Sequence, residues 1–551
     1  MKPDGLSLYF KGYVVLRRDP MKPQGIRDII GPIMVGPSSS HTAGALRIAS
    51  MARSLLAGEP VHVKFTLYGS FSQTYKGHGT DKALVAGMLG MHTDDTRIAT
   101  SFSEARSQGL EFEFACDPVT KTDHPNTVDI EAQDATGMRV SARGVSIGGG
   151  AAELRLVDGV AVNITGESTS LIIRQNDEPG VLAHVSGLLA QAGINIGTVS
   201  LYRDRRGGIA IVVMEIDGDV PEDVERTIAE FPAILSVRIV PADSSHQRLE
   251  RKTPDISVEE ALDAFAQVDF ASAAEMLRYC DENDCTLSRA FMRRDEMLLA
   301  CNGRSAEGTH VYLEKVLRVM RESVRPQGRP TMGRLIGGES LALDALEARG
   351  GGLGLAWGRL CSYATGVLET NASMGRIVAA PTAGSSGVIP AVLLYLQEQF
   401  GLDDDALKAG LVNAAAVGQI IARNATVAGA EGGCQAEVGS ASAMAASMAV
   451  ELMGGTPAMC LDAAGIALAN MLGLVCDPIG GLVEAPCQKR NASGAANALV
   501  SAEMALAGIH SDAPFDEIVG AMAKVGRSLP YELRETALGG MAACPSCKKC
   551  R

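Results

Sequence analysis

TSLIIRQNDEPGVLAHVSGLLAQAGINIGTVSLYRDRRGGIAIVVMEIDGDVPEDVERTIAEFPAILSVRIV, residues 169–240, decides the architecture of the middle of the chain. TSLIIRQN is an apolar run of strand length, and DEPG turns it into a helix with Val181, Leu182, Val185, Leu188 and Leu189 at helical spacing on one face. INIGTVSLYRD and IAIVVMEID are two further strand-length runs joined by RRGG, a hairpin signal. PEDVERTIAEF carries acidic residues at its start, as a helix N-terminus favours, and ILSVRIV closes the unit as a strand. The order βαββαβ predicts a ferredoxin-like domain over 168–242.

The chain on the N-terminal side reads differently. VHVKFTLYG (61–69) places Val61, Val63, Phe65 and Leu67 at period two, which predicts a half-buried strand. TAGALRIASMARSLLAG (42–58) has helical spacing at Leu46, Ile48, Ala49, Ala52, Leu55 and Leu56 and a stop at Gly58. TVDIEAQ and MRVSARGVSIGGG add strands, so residues 21–165 are expected to form an α+β domain. MKPDG at the start is repeated as MKPQG from Met21, and residues 1–20 are set apart as an extension. PADSSHQRLERKTPD (241–255) reads as a linker, with its core at 243–255. Beyond it, 256–551 turns rich in Ala and Gly, without a long strand pattern, and is expected to be mostly α-helical. The fold class is thus multidomain: α+β, then ferredoxin-like, then helical.

Composition narrows the function. The 551 residues include 50 basic and 64 acidic side chains, a net charge of −14, which disfavours broad nucleic-acid binding because phosphates are neutralised by clustered Lys and Arg. Glycine is 61 of 551, about 11% against a usual ~7%, and aromatics are 4%, so backbones and ligands are able to approach closely. Twelve cysteines in so long a chain do not make a secreted disulfide scaffold. Lys11, Arg17 and Arg18 interrupt any signal-peptide core, and the longest uncharged run, 377–397, holds Pro381 and Pro390. The expectation is a cytoplasmic protein with no membrane span, whose cysteines bind metal or stay free.

Four motifs carry chemistry. GPSSSHTAG (36–44) leads straight into a helix, where hydroxyls and free N–H groups suit a small carboxylate, and His41 adds a group titrating near neutrality. An ordinary capped helix accounts for it equally well. YKGHGTDK (75–82) sets His78 between glycines. NASMGRIVAAPTAGSSGVIP (371–390) places Gly384, Ser385, Ser386 and Gly387 before an apolar helix, a second anion cradle, and the absence of G-K-[ST] argues against a P-loop. The fourth is a set of cysteines, Cys434, Cys476 and Cys487, each beside Gly or Pro and followed by polar residues, unlike Cys460 within an apolar pattern. Three thiolates do not close a structural zinc site, but they suit a [4Fe–4S] cluster with one iron left open. Their spacing is not that of a ferredoxin run; the tail CPSCKKC (544–550) comes nearer to one.

Taken together, GPSSSHTAG, GHGTDKA, NASMGRIVAAPTAGSSGVIP, AEGGCQAEVG and CDPIGGLVEAPCQKRNA resemble the bacterial iron–sulfur-dependent L-serine dehydratases, with β-type and α-type parts fused around a module that resembles the ACT domain. The resemblance spans residue 21 to the end and makes Met21 the usual start. It implies an L-serine ammonia-lyase that forms pyruvate and ammonia, with Cys434, Cys476 and Cys487 as cluster ligands. Some relatives add a tail cysteine. Here Cys544, Cys547 and Cys550 compete for that place, and Cys547 fits best. Serine must lose an α-proton and a β-hydroxide, for which His41 and His78 are the expected bases. Ser38, Ser39, Ser40 and Thr42 on one side, and Asn371, Thr382, Gly384, Ser385, Ser386 and Gly387 on the other, are the expected substrate site. Asn176, Asp177 and Gly180 lie on the ligand-binding turn of an ACT module, which implies a homodimer. Two other readings stand beside this one. The first is a pyridoxal-phosphate amino-acid lyase with Lys489 as Schiff-base lysine; the second is an amino-acid sensor without catalysis.

Overall fold

The computed structural model describes residues 23–242, 256–325, 328, 330–350, 352 and 354–548. The extension 1–20, Met21, the linker 243–255 and Cys550 lie outside the described residues. The described strands are β1 (Ile33–Val35), β2 (Pro60–Tyr68), β3 (Glu111–Asp117), β4 (Thr127–Asp134), β5 (Arg139–Gly148), β6 (Ala151–Val157), β7 (Val160–Ile164), β8 (Thr169–Asn176), β9 (Ile196–Arg203), β10 (Ile209–Ile216), β11 (Ile234–Val240) and β12 (Arg376–Val378).

In the N-terminal domain the order is β3-β2-β4-β5-β6-β7, with β2 and β3 parallel and the other pairs antiparallel. Alternation in β2 buries Val63, Phe65 and Leu67 completely, as the period of two requires. Val61 departs from the expected face and is 36% exposed, because the register against β4 shifts between Pro60 and His62 and leaves Val61 in the irregularity. The helix Ala45–Arg53 packs Leu46, Ile48, Ala49 and Ala52 into this core. It begins three residues later than the stretch 42–58, because residues 39–44 form a wider π-type turn, and it ends at Arg53, before the expected stop at Gly58.

The middle domain has the order β11-β8-β10-β9, all antiparallel, which is the ferredoxin-like arrangement. One sheet face (Leu171, Ile173, Val212, Met214) packs on its own helices Val181–Gln191 and Glu222–Ala229. The other face (Ile172, Ile211, Val213, Val240) joins the core of the N-terminal domain. Leu182, expected on the buried face of its helix, is 39% exposed.

The C-terminal domain is built around the helix Ser440–Leu452, whose residues 440–450 are all buried. A helix buried on every side needs small side chains to admit its neighbours, and Ala and Ser supply them. Asp404–Asn424, Pro457–Ala469 and Cys487–Leu506 surround it. The first described segment of the chain also belongs to this core. Ile26, Ile29, Ile30, Ile33 and Met34 join the C-terminal hydrophobic cluster, and β1 pairs antiparallel with β12. A Cβ on Gly418 would meet Ile29 at 2.4 Å, so the glycine is what admits the segment. This crossover fastens the SSSH turn, which follows β1 directly, beside the C-terminal domain. No helix among the described residues is long and apolar enough to cross a membrane.

Candidate active site

The Ser-rich turn is organised from within. Ser38 caps it, its Oγ accepting from the His41 backbone N–H at 3.1 Å, and Thr42 Oγ1 donates to the His78 carbonyl at 2.7 Å. Gly36 has φ +108° and no room for a Cβ against Thr42, which explains the glycine before the turn. His41 is buried, with Nδ1 3.0 Å from Ser40 Oγ and Nε2 2.9 Å from Ser70 Oγ. Its ring lies 4.5 Å from that of His78, centroid to centroid. His78 is 1% exposed, and neither of its ring nitrogens has a hydrogen-bond partner. Burial pushes His78 down to about 4; it also pushes His41 well below the usual range, assisted by His78 and His124. Both rings are therefore neutral at pH 7.

From this pair a chain of contacts crosses into the C-terminal domain. Asn371 Nδ2 donates to Ala383 O at 3.1 Å and reaches Pro37 O at 3.5 Å, bridging the two Gly/Ser-rich turns. Asn371 is fully buried and its Oδ1 is left without a partner. Leu482, between Cys476 and Cys487, packs so closely on Gly77 beside His78 that a Cβ there would meet it at 2.9 Å. The second turn differs from the expected cradle. Ser385 Oγ donates to Ala380 O at 3.2 Å and Ser386 Oγ to Ala383 O at 2.7 Å, so both hydroxyl protons brace the turn itself. Asn491 closes it by accepting from Gly387 N–H and donating to Gly384 O. Thr382 alone reaches outward, its Oγ1 2.8 Å from Glu437 Oε1.

The cysteines come from three elements. Cys434 precedes the π-turn Gln435–Gly439, Cys476 lies on an irregular stretch bridged to Arg534, and Cys487 opens the helix Cys487–Leu506. Cys434 and Cys476 are buried and Cys487 half-buried. Burial pushes the Cys434 thiol up to about 12 and the other two well above their ordinary value. Neighbouring acidic groups push in the same direction, Glu437 on all three and neighbouring thiols of the set on Cys476 and Cys487. Arg490, one turn along the helix from Cys487, counters them. Among the described residues no group of three His, Cys, Asp or Glu is spaced for a single metal ion.

Sequence reasoning missed Glu437, Asp477, Arg490, Glu535, Ser70 and His124. Glu437 lies three residues after Cys434 and takes the Cys476 thiol at 3.7 Å. Its signal was the glycine content nearby, since a Cβ on Gly384 or Gly429 would meet its carboxylate at 3.0 or 2.5 Å. Asp477 is 2.7 Å from Arg490 Nη1, close enough for an ion pair though angled off a linear hydrogen bond, and accepts from Met541 N–H at 2.6 Å. That bond docks the tail. Cys544 and Cys547 follow in the last turn, the Cys547 N–H on Cys544 O.

In the middle domain Gly180 takes φ +100° at the helix start. Asp177 accepts from Gly207 N–H at 2.9 Å and pairs with Arg203 at 3.2 Å, so its carboxylate is occupied within the module, pinning the β9–β10 hairpin.

Comparison with known proteins agrees with this organisation. The family model described as serine dehydratase alpha chain matches residues 245–542, more than half of the chain. The chain belongs to the serine dehydratase family. The serine dehydratase beta chain model matches 27–154 and the ACT domain model 169–233, so β, ACT and α parts are fused in one polypeptide. An L-serine dehydratase of Streptomyces coelicolor is 30% identical over 527 residues, 93% of this chain and 96% of the relative. One of Helicobacter pylori is 28% identical over 545 residues, 94% and 98% of the two chains. The L-serine dehydratase alpha chain of Peptoniphilus asaccharolyticus is 56% identical over 183 residues, 33% of this chain and 63% of the relative. Membership makes the protein an enzyme, a lyase.

Proposed function

We propose that the protein is an L-serine ammonia-lyase, dehydrating L-serine to pyruvate and ammonia between the 21–165 and 256–551 regions. The observation that carries this is the path of contacts from the neutral His41–His78 pair, through Asn371, Thr382 and Glu437, to Cys476 of the cysteine set. The relatives' names supply the substrate class.

The cysteines fit a [4Fe–4S] cluster. Thiolates are strongly disfavoured in so buried a place unless a cation holds them, and three of them leave one iron of such a cluster open. Their spread over three elements suits a cluster, which takes one thiolate per iron, better than a single ion. When bound, the cluster supplies Lewis acidity that makes the β-hydroxyl a better leaving group. The protein does the rest. His78, with free ring nitrogens and kept neutral by burial, accepts the α-proton; His41, held between Ser40 and Ser70, packs against it. The N–H groups of Ser39 and Ser40 in the turn, together with Thr382, orient the substrate. Loss of proton and hydroxide yields aminoacrylate, which tautomerises and hydrolyses to pyruvate and ammonia. The pyridoxal reading finds no support, because Lys489 is exposed.

The module at 168–242 modulates the enzyme in a homodimer. Its sheet ends at β9, where Val199 and Leu201 are 47% and 41% exposed on an open edge. The decisive experiment is an anaerobic assay of pyruvate from L-serine, with iron and sulfide measured on the same sample. Turnover with stoichiometric iron and sulfide is expected. Turnover without them removes the cluster, and iron without turnover removes the activity.

A further inference from the structure

A serine site must hold an ammonium as well as a carboxylate, and the motifs read from the sequence account only for the carboxylate. Among the acidic side chains around the proposed site on the C-terminal side, Glu535 lies half-buried beside Glu437, and four others have partners that reveal their roles. Glu484 accepts from the N–H groups of Gly333 and Leu335 and from the Thr331 hydroxyl. Glu369 accepts from Ser340 N–H, Ser340 Oγ and Gln488 Nε2. Asp477 holds Arg490 and Met541 N–H. Glu484 and Glu369 are saturated and structural, and Asp477 is committed to its ion pair with Arg490 and to the tail.

Glu437 is different. One oxygen accepts from Thr382, and the other meets only the weak thiol donor of Cys476 at 3.7 Å. Glu437 and Cys487 both retain some accessible surface. Gly384 and Gly429 admit the Glu437 carboxylate itself, since a Cβ at either would collide with it. Across the two turns, the orphaned Asn371 Oδ1 and both nitrogens of His78 are further buried polar atoms without partners. A largely enclosed carboxylate with one good donor, near unpartnered polar groups, has an oxygen left for a further donor such as an ammonium.

Building on the function proposed above, we propose that Glu437 binds the substrate's α-ammonium and so makes the site specific for amino acids over the corresponding hydroxy acids. Its Oε2 takes the ammonium while Oε1 keeps Thr382, which fixes Cα between the histidine pair and the cysteines. Glu437 is then a residue in contact with substrate, and the restriction to an amino acid resides in the C-terminal domain.

The test compares two unreactive ligands of one shape, L-alanine and L-lactate, which differ in ammonium against hydroxyl. Their binding to the anaerobic holoenzyme is measured by calorimetry, for the wild type and for Glu437→Gln, which retains an acceptor for Thr382. The wild type is expected to prefer L-alanine. Glu437→Gln is expected to weaken L-alanine by at least ~30-fold, the low end for truncating a buried charge pair, while L-lactate moves less than ~3-fold. Iron and sulfide are measured alongside. Equal loss for both ligands, or an unchanged preference, overturns the assignment. If the variant does not fold, the wild type still decides, since equal affinity for the two ligands refutes an ammonium-binding carboxylate. Absence of pyruvate formation by the wild type overturns the reaction itself; pyruvate formation without discrimination overturns only the role of Glu437.

Discussion

Lowering the pH from 7.5 to 5.5 is expected to leave the proton-abstracting step nearly intact. An exposed histidine titrates near 6.5; at pH 5.5 only about 9% of it is neutral. His78, pushed by burial to about 4, remains about 97% neutral at that pH. The gap between 6.5 and about 4 corresponds to roughly 3 kcal/mol, the cost of charging a ring that is 1% exposed and has no partner on either nitrogen. His41 is shifted in the same direction by burial, with His78 and His124 adding to it. The sign for stability follows. The unfolded chain takes up these protons below about 6.5 and the folded chain does not, so stability is unaffected above that pH. It declines by about 1.4 kcal/mol per pH unit for His78 as the pH falls from 6.5 towards 4. The assay is anaerobic kcat/KM for L-serine from pH 8 to 4.5, with iron content determined at each pH and samples returned to pH 7.5 to exclude irreversible loss. The acid limb is expected below pH 5. A limb with half-activity at pH 6 or above, in enzyme that keeps its iron and recovers on return, would refute the reasoning that burial keeps the base neutral.

Replacing Cys434, Cys476 or Cys487 singly by Ala should abolish iron and activity together; a variant with full iron and turnover does not lack a ligand. Asp477→Asn leaves Arg490 without its carboxylate beside Cys434 and Cys487, a loss near the ~3 kcal/mol end for a buried pair, because the Arg490 side chain is 18% exposed. Its tail should become cleavable after Arg534 in limited proteolysis, and an unchanged digestion pattern would show that the bond to Met541 does not hold the tail. In the middle domain, Asp177→Ala with Gly180→Ala should alter the serine dependence of the rate while leaving iron content unchanged, provided sedimentation shows the same oligomer. An identical curve assigns the module a structural role.

What the sequence determined is whatever repeats over a few residues. The alternation in 61–69, the RRGG hairpin and the helix after DEPG each record burial or turn chemistry over a short span. The ferredoxin-like order was therefore legible, as was a helical C-terminal domain. The cysteines stood out because Gly and Pro interrupt the apolar periodicity around them. Tertiary structure decided what depends on distant partners. Nothing local in Ile33–Val35 announces that it pairs with Arg376–Val378, or that Ile29 fills the space left open at Gly418. Asn371 and Pro37 meet across 334 residues, and only packing brings the two Ser-rich turns together. The serines of the second turn looked like ligand donors until the carbonyls of Ala380 and Ala383 claimed their protons. Conversely, Glu437 looked like one more acidic residue on a helix, and its importance arises from what it lacks. A side chain's sequence neighbours do not reveal how many hydrogen-bond donors will surround it once the chain is folded, and that number separates a carboxylate bracing the structure from one open to a ligand.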